Sequence, residues 1–334
     1  MLKKTKIACT VLALGTVAFA SALHAQGKPQ DIVTVVKITG ISWFNRMEVG
    51  VKEFGASTPG VATRQIGPAQ SDAAQQQRLI EDLVAKKVDA IAVVSMDPPT
   101  LEPVLKRAME RGIKVVTHEA DNQKNTMVDI EAFDNTAYGA RINERLPACM
   151  GQQGKWTSLV GSLGSQSQVQ WADGGANNAK KYPKMQLVDA KNESLNDAEK
   201  AYGKAKEMLR KHPDLKGFQG SSSLDVLGIG RAVEEAGLQG KVCVYGTGLP
   251  SEAAKFLESG AVGGIAFWDP KDAGIVMNKA AKMLLDGKTI TDGTDMGVQG
   301  YNKVSVKKGP GVGIIVTGQA WVEVDKQNYK KYAF

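Results

Sequence analysis

The sequence has few of the residues that usually hold metals or cofactors. It contains three cysteines and three histidines among 334 residues, and none of them stand at the spacing of a zinc site. No phosphate-binding G-x-x-x-x-G-K-[ST] loop and no G-x-S-x-G nucleophile turn occurs. Gly228-Ile229-Gly230 begins a dinucleotide-like pattern, but Val233 occupies its third glycine position. The sequence therefore predicts no metal, no cofactor and no enzyme.

Long apolar runs are missing except near the start. Three lysines among the first six residues precede an apolar stretch from Ile7 to about Leu23, which ends among small residues. This pattern is typical of a cleaved export signal, with a membrane anchor as the alternative. We predict a signal peptide at residues 1–25 and a periplasmic protein.

Strong charge of one sign is also missing. The formal net charge is +7, and removal of three lysines and no acids with the signal lowers it to +4. The charges are interspersed, and no basic stripe carries interleaved aromatic residues. This composition argues against a nucleic-acid partner.

Only two cysteines, Cys149 and Cys243, remain after the predicted cleavage. Cys243 lies within the strand-like stretch Val242–Tyr245, and two cysteines do not make a disulfide scaffold in a chain of this length. We predict two separate buried thiols, with pairing as the alternative.

Strands and helices alternate along most of the chain. The first series includes the continuous apolar strand Asp89–Ser95 and the helix Asp72–Lys87, and a second series begins near Trp156. Strands that alternate with helices of this length form parallel sheets. Nine or more strands would be many for one sheet, so we predict an α/β fold with two doubly wound parallel-sheet lobes that face one another.

Polar and aromatic residues follow the predicted strands. Ligands of open α/β sheets lie beyond the carboxyl ends of the strands, and carboxylates, amides and an ammonium can each bond to sugar hydroxyls. Flat aromatic rings cover the C–H faces of a sugar. The candidate ligand-binding residues are Lys37, Trp43, Phe44, Glu119, Asp121, Gln168, Trp171, Ser221, Ser223, Trp268 and Asp269.

Several of these residues have simpler interpretations. Asp269 can cap the helix that follows it, and Ser221–Ser223 can cap theirs. His118 is interpreted as a packed polar residue and Trp156 as core. Glu119 and Asp269 would resemble a glycosidase pair if they faced each other, which is the alternative enzyme hypothesis.

Four segments carry a family likeness: Ile32–Gly50, KRAMERGIKVVTHEAD at 106–121, GTGLPS at 246–251 and FWDP at 267–270. The chain resembles the periplasmic substrate-binding proteins of ABC sugar importers, in the type I or ribose-binding-like group. Within that group it is similar to rhamnose-binding and autoinducer-2-binding proteins.

This resemblance implies a type I periplasmic binding protein fold, with two lobes joined by three hinge crossovers. We expect the crossovers near Asn143, Trp268 and Met296. The N-terminal lobe would then comprise residues 26–142 plus 269–295, and the C-terminal lobe residues 143–268 plus 296–334.

The resemblance also implies roles for particular residues. Lys37 matches a ligand-contacting lysine of the autoinducer-2 binders, Glu119 replaces their aspartate, and Gln168 matches a ligand amide. Ser167, Ser221 and Ser223 depart from that pattern, and Asp269 replaces the asparagine of a Trp-Asn-Pro motif of the rhamnose-type branch.

The expected function is capture of a small monosaccharide or related cyclic polyol for import, with a rhamnose-like deoxysugar or a pentose favoured. Binding of autoinducer-2 for signal uptake or chemotaxis is the alternative. The expected partner is an ABC transporter permease in the inner membrane, and a role with a chemoreceptor would be compatible with transport. We expect the protein to be a monomer.

Overall fold

The protein contains two sheets, each covered by helices on both faces. The computed structural model describes residues 28–334, so the predicted signal peptide lies outside the described residues. The strands are β1 (Gln30–Val35), β2 (Val61–Ile66), β3 (Ala90–Val94), β4 (Lys114–His118), β5 (Val128–Glu131), β6 (Gln153–Val160), β7 (Lys184–Leu187), β8 (Asn192–Glu193), β9 (Leu215–Gly220), β10 (Cys243–Thr247), β11 (Gly264–Phe267), β12 (Ser305–Lys308), β13 (Ile314–Thr317) and β14 (Val322–Val324).

The helices connect these strands over the faces of the sheets. They are α1 (Ser42–Ser57), α2 (Ala73–Lys86), α3 (Pro98–Glu110), α4 (Asn135–Met150), α5 (Gln166–Ala179), α6 (Ala198–Lys211), α7 (Asp225–Glu235), α8 (Pro250–Ser259) and α9 (Pro270–Leu285). A short 3₁₀ turn, Tyr329–Lys331, lies near the end of the chain.

The first sheet has the strand order β12-β13-β5-β4-β3-β1-β2, and the second has β14-β11-β10-β9-β6-β7, with β8 paired to β6. Strand pairs are parallel except β12 with β13 and β11 with β14. Within each sheet, the helices connect one parallel strand to the next, as parallel pairing requires. The predicted α/β class with two parallel-sheet lobes is confirmed.

Alternate residues of the central strands pack on opposite faces of the first sheet. In β3 all five residues are buried; Ala92 and Val94 belong to the core that includes α1 and α9, whereas Ile91 and Val93 join α2 and α3. Full burial of a valine side chain contributes about 1.5–3 kcal/mol. Because helices cover both faces of the sheet with apolar contacts, a polar ligand site can form only beyond the ends of the strands.

The chain passes between the sheets three times. Strand β5 of the first sheet leads to α4, which packs on β10 of the second, and β11 leads back to α9, which packs on α1. The third passage joins β13 of the first sheet to β14 of the second. Three crossovers are thus present, as the resemblance implies.

Two of the expected crossover positions differ from these changes of sheet. The changes lie at residues 132–134, 268–269 and 318–321, whereas we expected them near Asn143, Trp268 and Met296. The sequence pattern did not reveal β5 or the start of α4, so we expected the first crossover at a position that lies within α4. Similarly, the Gly-rich tail contains β12 and β13, which complete the first sheet. Residues 296–317 therefore lie with the first lobe, and α4 lies with the second from its start.

Cys149 and Cys243 form a disulfide, so the prediction of two separate thiols is wrong. Their Cα atoms lie 6.0 Å apart, within the usual range for a disulfide. Cys149 is in the last turn of α4 and Cys243 begins β10. The packing of α4 on β10 brings the two residues together, and no local pattern in the sequence signals that packing.

Candidate functional site

The carboxyl ends of the two sheets face one another and enclose a cavity between the lobes. The space between them that contains no protein atoms measures about 340 Å³, part of it open to solvent. The residues that line it are Lys37, Ile41, Trp43, Phe44, Glu119, Gln168, Trp171, Asn196, Ser221, Ser222, Ser223, Thr247 and Trp268. Nine of the eleven candidate residues are among them; the exceptions are Asp121 and Asp269. Contact with a ligand stays a prediction for the nine that line the cavity.

A buried ion pair lies at the centre of the cavity wall. Lys37 follows β1 and Glu119 follows β4, and their Nζ and Oε2 atoms are 2.7 Å apart with side chains only 3% and 6% exposed. Lys37 also donates to Ser165 Oγ at 2.9 Å, and Ser167 Oγ donates to Glu119 Oε2 at 2.9 Å. Both serines belong to the second lobe, so the pair also joins the lobes.

The pKa of Glu119 lies below its ordinary value. Burial raises this pKa, but the charge of Lys37, a smaller electrostatic effect of His118 and the hydrogen bonds from Lys37 and Ser167 together outweigh burial. The carboxylate is therefore ionised at neutral pH and can accept further hydrogen bonds through Oε1, which no hydrogen-bond donor of the described chain occupies.

The backbone of Glu119 is in the left-handed region, with φ of +58°. A glutamate rarely adopts this conformation, and such strain clusters at ligand sites. The left-handed turn directs the chain away from β4 immediately after His118. His118 is fully buried and its Nδ1 lies 2.6 Å from the carbonyl oxygen of Ile130. Burial lowers the pKa of His118, although Glu119 and the Ile130 carbonyl oppose this, so the neutral ring donates from Nδ1.

Three tryptophans form an apolar wall of the cavity. The ring centroids of Trp43 and Trp268 are 4.6 Å apart at 72°, and those of Trp171 and Trp268 are 5.6 Å apart at 74°. These edge-to-face contacts fix the rings relative to one another. Trp171 Nε1 donates to Asn135 Oδ1 at 2.7 Å, whereas Trp268 Nε1 is buried and has no partner within residues 28–334. Trp156 is fully buried away from the cavity, which confirms its assignment to the core.

Gln168 and Asn196 form an amide pair on the second lobe. Gln168 Oε1 accepts from the Gly161 N–H at 2.6 Å, and its Nε2 donates to Asn196 Oδ1 at 3.1 Å. A Cβ at position 161 would lie 2.1 Å from Asn196 Oδ1, so a larger residue there would displace the amide pair. Our sequence reasoning missed Asn196, because it stands between the two-residue strand β8 and α6 with no pattern around it.

A buried aspartate holds the serine loop that follows β9. Asp225 Oδ2 accepts from the N–H groups of Ser221 and Ser222 at 3.0 and 2.8 Å, and Oδ1 accepts from Ser194 Oγ at 2.6 Å. Burial raises the pKa of Asp225 to about 6, against the effect of these bonds. Ser221 Oγ is buried without a partner in the described chain and lines the cavity. Sequence reasoning did not single out Asp225.

Asp269 and Asp121 make contacts away from the cavity. Asp269 caps α9 by accepting from the Lys271 N–H at 2.9 Å, and it binds Arg46 through both carboxylate oxygens at 2.9 and 2.6 Å. This is the capping alternative, and it removes the geometric basis for a Glu119–Asp269 glycosidase pair. Asp121 accepts from Gln170 Nε2 of the other lobe at 2.9 and 3.0 Å.

Two further findings concern the part of the chain that the structure describes. No helix there is long and apolar enough to cross a membrane. Across those residues, no group of three or more histidine, cysteine, aspartate or glutamate side chains is arranged to hold a metal ion.

Comparison with solved structures identifies the fold. LsrB from Clostridium saccharobutylicum in complex with AI-2 superposes with a TM-score of 0.83 at 20% identity, covering 91% of this chain and 100% of that one. An ABC transporter solute binding protein from Clostridium phytofermentas with bound L-rhamnose also gives 0.83 at 20% identity, covering 91% and 98%. The chain therefore has the fold of these binding proteins.

Comparison of sequences identifies the family. The D-allose-binding periplasmic protein of Escherichia coli (strain K12) is 29% identical over 287 residues, covering 83% of this chain and 88% of that protein. The D-ribose/D-allose-binding protein of Pseudomonas aeruginosa (strain PAO1) is 29% identical over 237 residues, covering 68% and 73%. Both relatives are named as binding proteins and not as enzymes. Since residues 32–289 match the family described as "Periplasmic binding protein domain", the chain belongs to the periplasmic binding protein family.

Proposed function

We propose that this protein captures one small, uncharged monosaccharide between its lobes and delivers it to an ABC transporter permease in the inner membrane. The observation that carries this proposal is the composition of the interlobe cavity. It combines one buried ion pair, two amides and four hydroxyls with a wall of tryptophan rings. Hydroxyl groups need such donors and acceptors, and the C–H faces of a sugar ring need apolar contact.

The charges favour an uncharged ligand. Lys37 and Glu119 are the charged side chains that line the cavity, and at 2.7 Å they neutralise each other. A uronic acid or an amino sugar would bring an unpaired charge into this low-dielectric space, which is strongly unfavourable. A neutral sugar can instead bond to Glu119 Oε1 and to the amides. Hydrogen bonds to a charged partner contribute about 1.5–3 kcal/mol each.

A deoxysugar or a pentose suits the apolar part of the cavity. Trp43, Trp268 and Ile41 offer surface to a methyl group or to ring hydrogens. The relatives named for D-allose and D-ribose support an aldose of five or six carbons. We expect a dissociation constant near micromolar or tighter, which corresponds to a binding free energy of about −8 kcal/mol.

Autoinducer-2 is a second candidate. Lys37, Glu119 and Gln168, which match residues of the autoinducer-2 binders by resemblance, lie around the same cavity. Ser167 contacts the same group of residues, because its hydroxyl donates a hydrogen bond to Glu119. The serines at 221 and 223 depart from that pattern, so we place this ligand after the sugars.

A ligand screen tests the proposal. The purified protein is heated with L-rhamnose, L-fucose, D-ribose, D-xylose, D-allose or autoinducer-2, and ligands that raise the melting temperature are titrated by calorimetry. We expect one site per monomer and recovery of the bound sugar unchanged. The proposal fails if none of the sugars binds, or if D-glucuronate and D-glucosamine bind as tightly as their neutral counterparts.

A further inference from the structure

Two hydrogen-bonded pairs join the lobes beside the cavity. Asn196 Nδ2 donates to Ser71 Oγ at 3.1 Å, and Gln170 Nε2 donates to the Asp121 carboxylate oxygens at 3.0 and 2.9 Å. Ser71, Asp121 and Gln170 do not line the cavity. We call these two pairs the lobe latch.

The pairs lie at different distances from the crossovers. Ser71 follows β2, the edge strand of the first sheet that is farthest from β5 and β13, from which two crossovers leave. Asp121 follows β4, which is adjacent to β5. Because domains that close about a hinge move most where they are farthest from it, the Ser71–Asn196 bond must break as soon as the lobes separate.

The second-lobe side of the Ser71 pair is held rigidly. Leu195 and Asn196 have φ values of +54° and +52°, a conformation that asparagine tolerates better than most residues. On one side the Ser194 N–H donates to the Val160 carbonyl oxygen at 2.8 Å. On the other, Asp197 accepts from the Lys200 N–H at 2.9 Å and caps α6. The loop therefore presents the Asn196 amide without help from Ser71.

The first-lobe side of the other pair is also fixed. The turn after β4 is closed by a hydrogen bond from the Gln123 N–H to the Ala120 carbonyl oxygen at 2.8 Å. Ser95 Oγ donates to Gln123 Oε1 at 3.2 Å, and both side chains are buried. Asp121 is thus placed opposite Gln170 by its own lobe, so the bond costs little additional ordering when the cleft closes.

Asn196 connects the latch to the cavity. Its Nδ2 bonds to Ser71 and its Oδ1 accepts from Gln168 Nε2 at 3.1 Å, and both amides line the cavity. A sugar that orients these amides would also favour the bond to Ser71.

We infer that Ser71, Asp121 and Gln170 are positioning residues that set ligand affinity by stabilising the closed lobes, without touching the ligand. The inference rests on the proposed function. A ligand that needs both lobes binds with an apparent affinity equal to its affinity for the closed form multiplied by the fraction of molecules that are closed. Bonds that favour closure raise that affinity, and they slow release because release follows opening.

Titration of variants tests the latch, with D-ribose, D-allose and L-rhamnose as probes. Ser71→Ala removes a neutral hydrogen bond, and we expect a dissociation constant about fivefold higher. Asp121→Ala removes a bond to a carboxylate, and we expect about tenfold or more. In stopped flow the increase should lie in the dissociation rate, with the association rate unchanged. The double variant Asp121→Ala/Gln170→Ala should bind no more weakly than Asp121→Ala, since both remove one contact.

Two matched controls remove similar groups that bond within one lobe. Asp173 is on α5 beside Gln170 and binds Lys191 of its own lobe at 2.6 Å, and Ser57 donates to the Phe54 carbonyl oxygen. Asp173→Ala and Ser57→Ala should bind as wild type. Latch variants that bind with wild-type rate constants, or that lose affinity only through a slower association, would overturn the inference.

Spin labels separate this inference from the proposed function. Labels are placed at the exposed positions Lys106 and Glu199, on α3 of one lobe and α6 of the other. If no probe sugar binds to the wild type, the proposed function fails. The distances between the labels in the sugar-free protein then test the latch by themselves. The Ser71→Ala/Asp121→Ala protein should then show longer distances than wild type. Identical distance distributions would refute the latch.

Discussion

Substitutions at the Lys37–Glu119 pair should show that the pair is needed for ligand binding but contributes little net stability. The two side chains are 3% and 6% exposed and 2.7 Å apart. Lys37→Met leaves the Glu119 carboxylate buried without its counter-charge, and loss of one partner of a buried pair costs about 3–5 kcal/mol. At about 2–4 °C per kcal/mol for a domain of this size, the melting temperature should fall by about 6–20 °C.

The double variant Lys37→Met/Glu119→Leu should regain most of that stability, because apolar residues often replace a buried ion pair without net cost. It should not regain ligand binding, since the charged hydrogen-bonding groups are gone. Loss of one such bond corresponds to about a ten- to 150-fold weaker affinity. Stability is measured by thermal unfolding, and binding by calorimetry with the sugar that the screen identifies.

Lys52→Met is the matched control. This lysine is on α1, 67% exposed, and pairs with Glu48 one turn away, where an ion pair contributes little. We expect its stability and affinity to match wild type. The reasoning is refuted if Lys37→Met is as stable as wild type, or if the double variant binds the sugar normally.

The other predictions concern the disulfide, the serine loop, the cap of α9 and pH. Reduction of the Cys149–Cys243 bond, which spans 94 residues, should destabilise the protein by at most about 4.7 kcal/mol on the loop-entropy estimate, measured by urea unfolding with and without reductant. Asp225→Ala should weaken sugar binding tenfold or more by releasing the Ser221–Ser222 loop, and normal calorimetry would contradict this. Asp269→Ala should lower thermal stability and leave affinity unchanged, because Asp269 binds Arg46 and caps α9. Glu119 has a pKa depressed below its ordinary value of 4.5, so its stabilising effect is complete above about pH 4.5 and is lost as pH falls through the lower folded-state pKa. In calorimetric titrations the affinity should weaken first near pH 6, where Asp225 gains a proton, and again below about pH 4.5, where Glu119 does.

The positions of most strands and of nine cavity residues were predictable from the sequence. Continuous apolar strands such as β3 are recognisable locally, and the rule that ligands lie beyond strand ends then selects Lys37, Glu119 and Ser221. Asp269 also follows a strand, but Arg46 comes close to it only in the folded chain. The rule gives position along the chain and not the direction of a side chain.

The missed features depend on contacts between distant segments. Asn196 belongs to the site because a left-handed turn after β8 directs it toward Gln168. Asp225 begins α7 and accepts hydrogen bonds from the preceding loop, a contact that no local sequence pattern indicates. The tail strands β12 and β13 are only four residues long. The pairing of β13 with β5, and of β12 with β13, depends on the rest of the sheet and not on a local pattern.

The left-handed backbone at position 119 restricts how this site can diversify. Any residue there must tolerate a φ of +58°, and asparagine, aspartate and glycine do so most easily. Ser221, Ser222 and Ser223 have no such restriction. Evolution or engineering toward a different ligand should therefore proceed mainly through the serine loop and less through position 119.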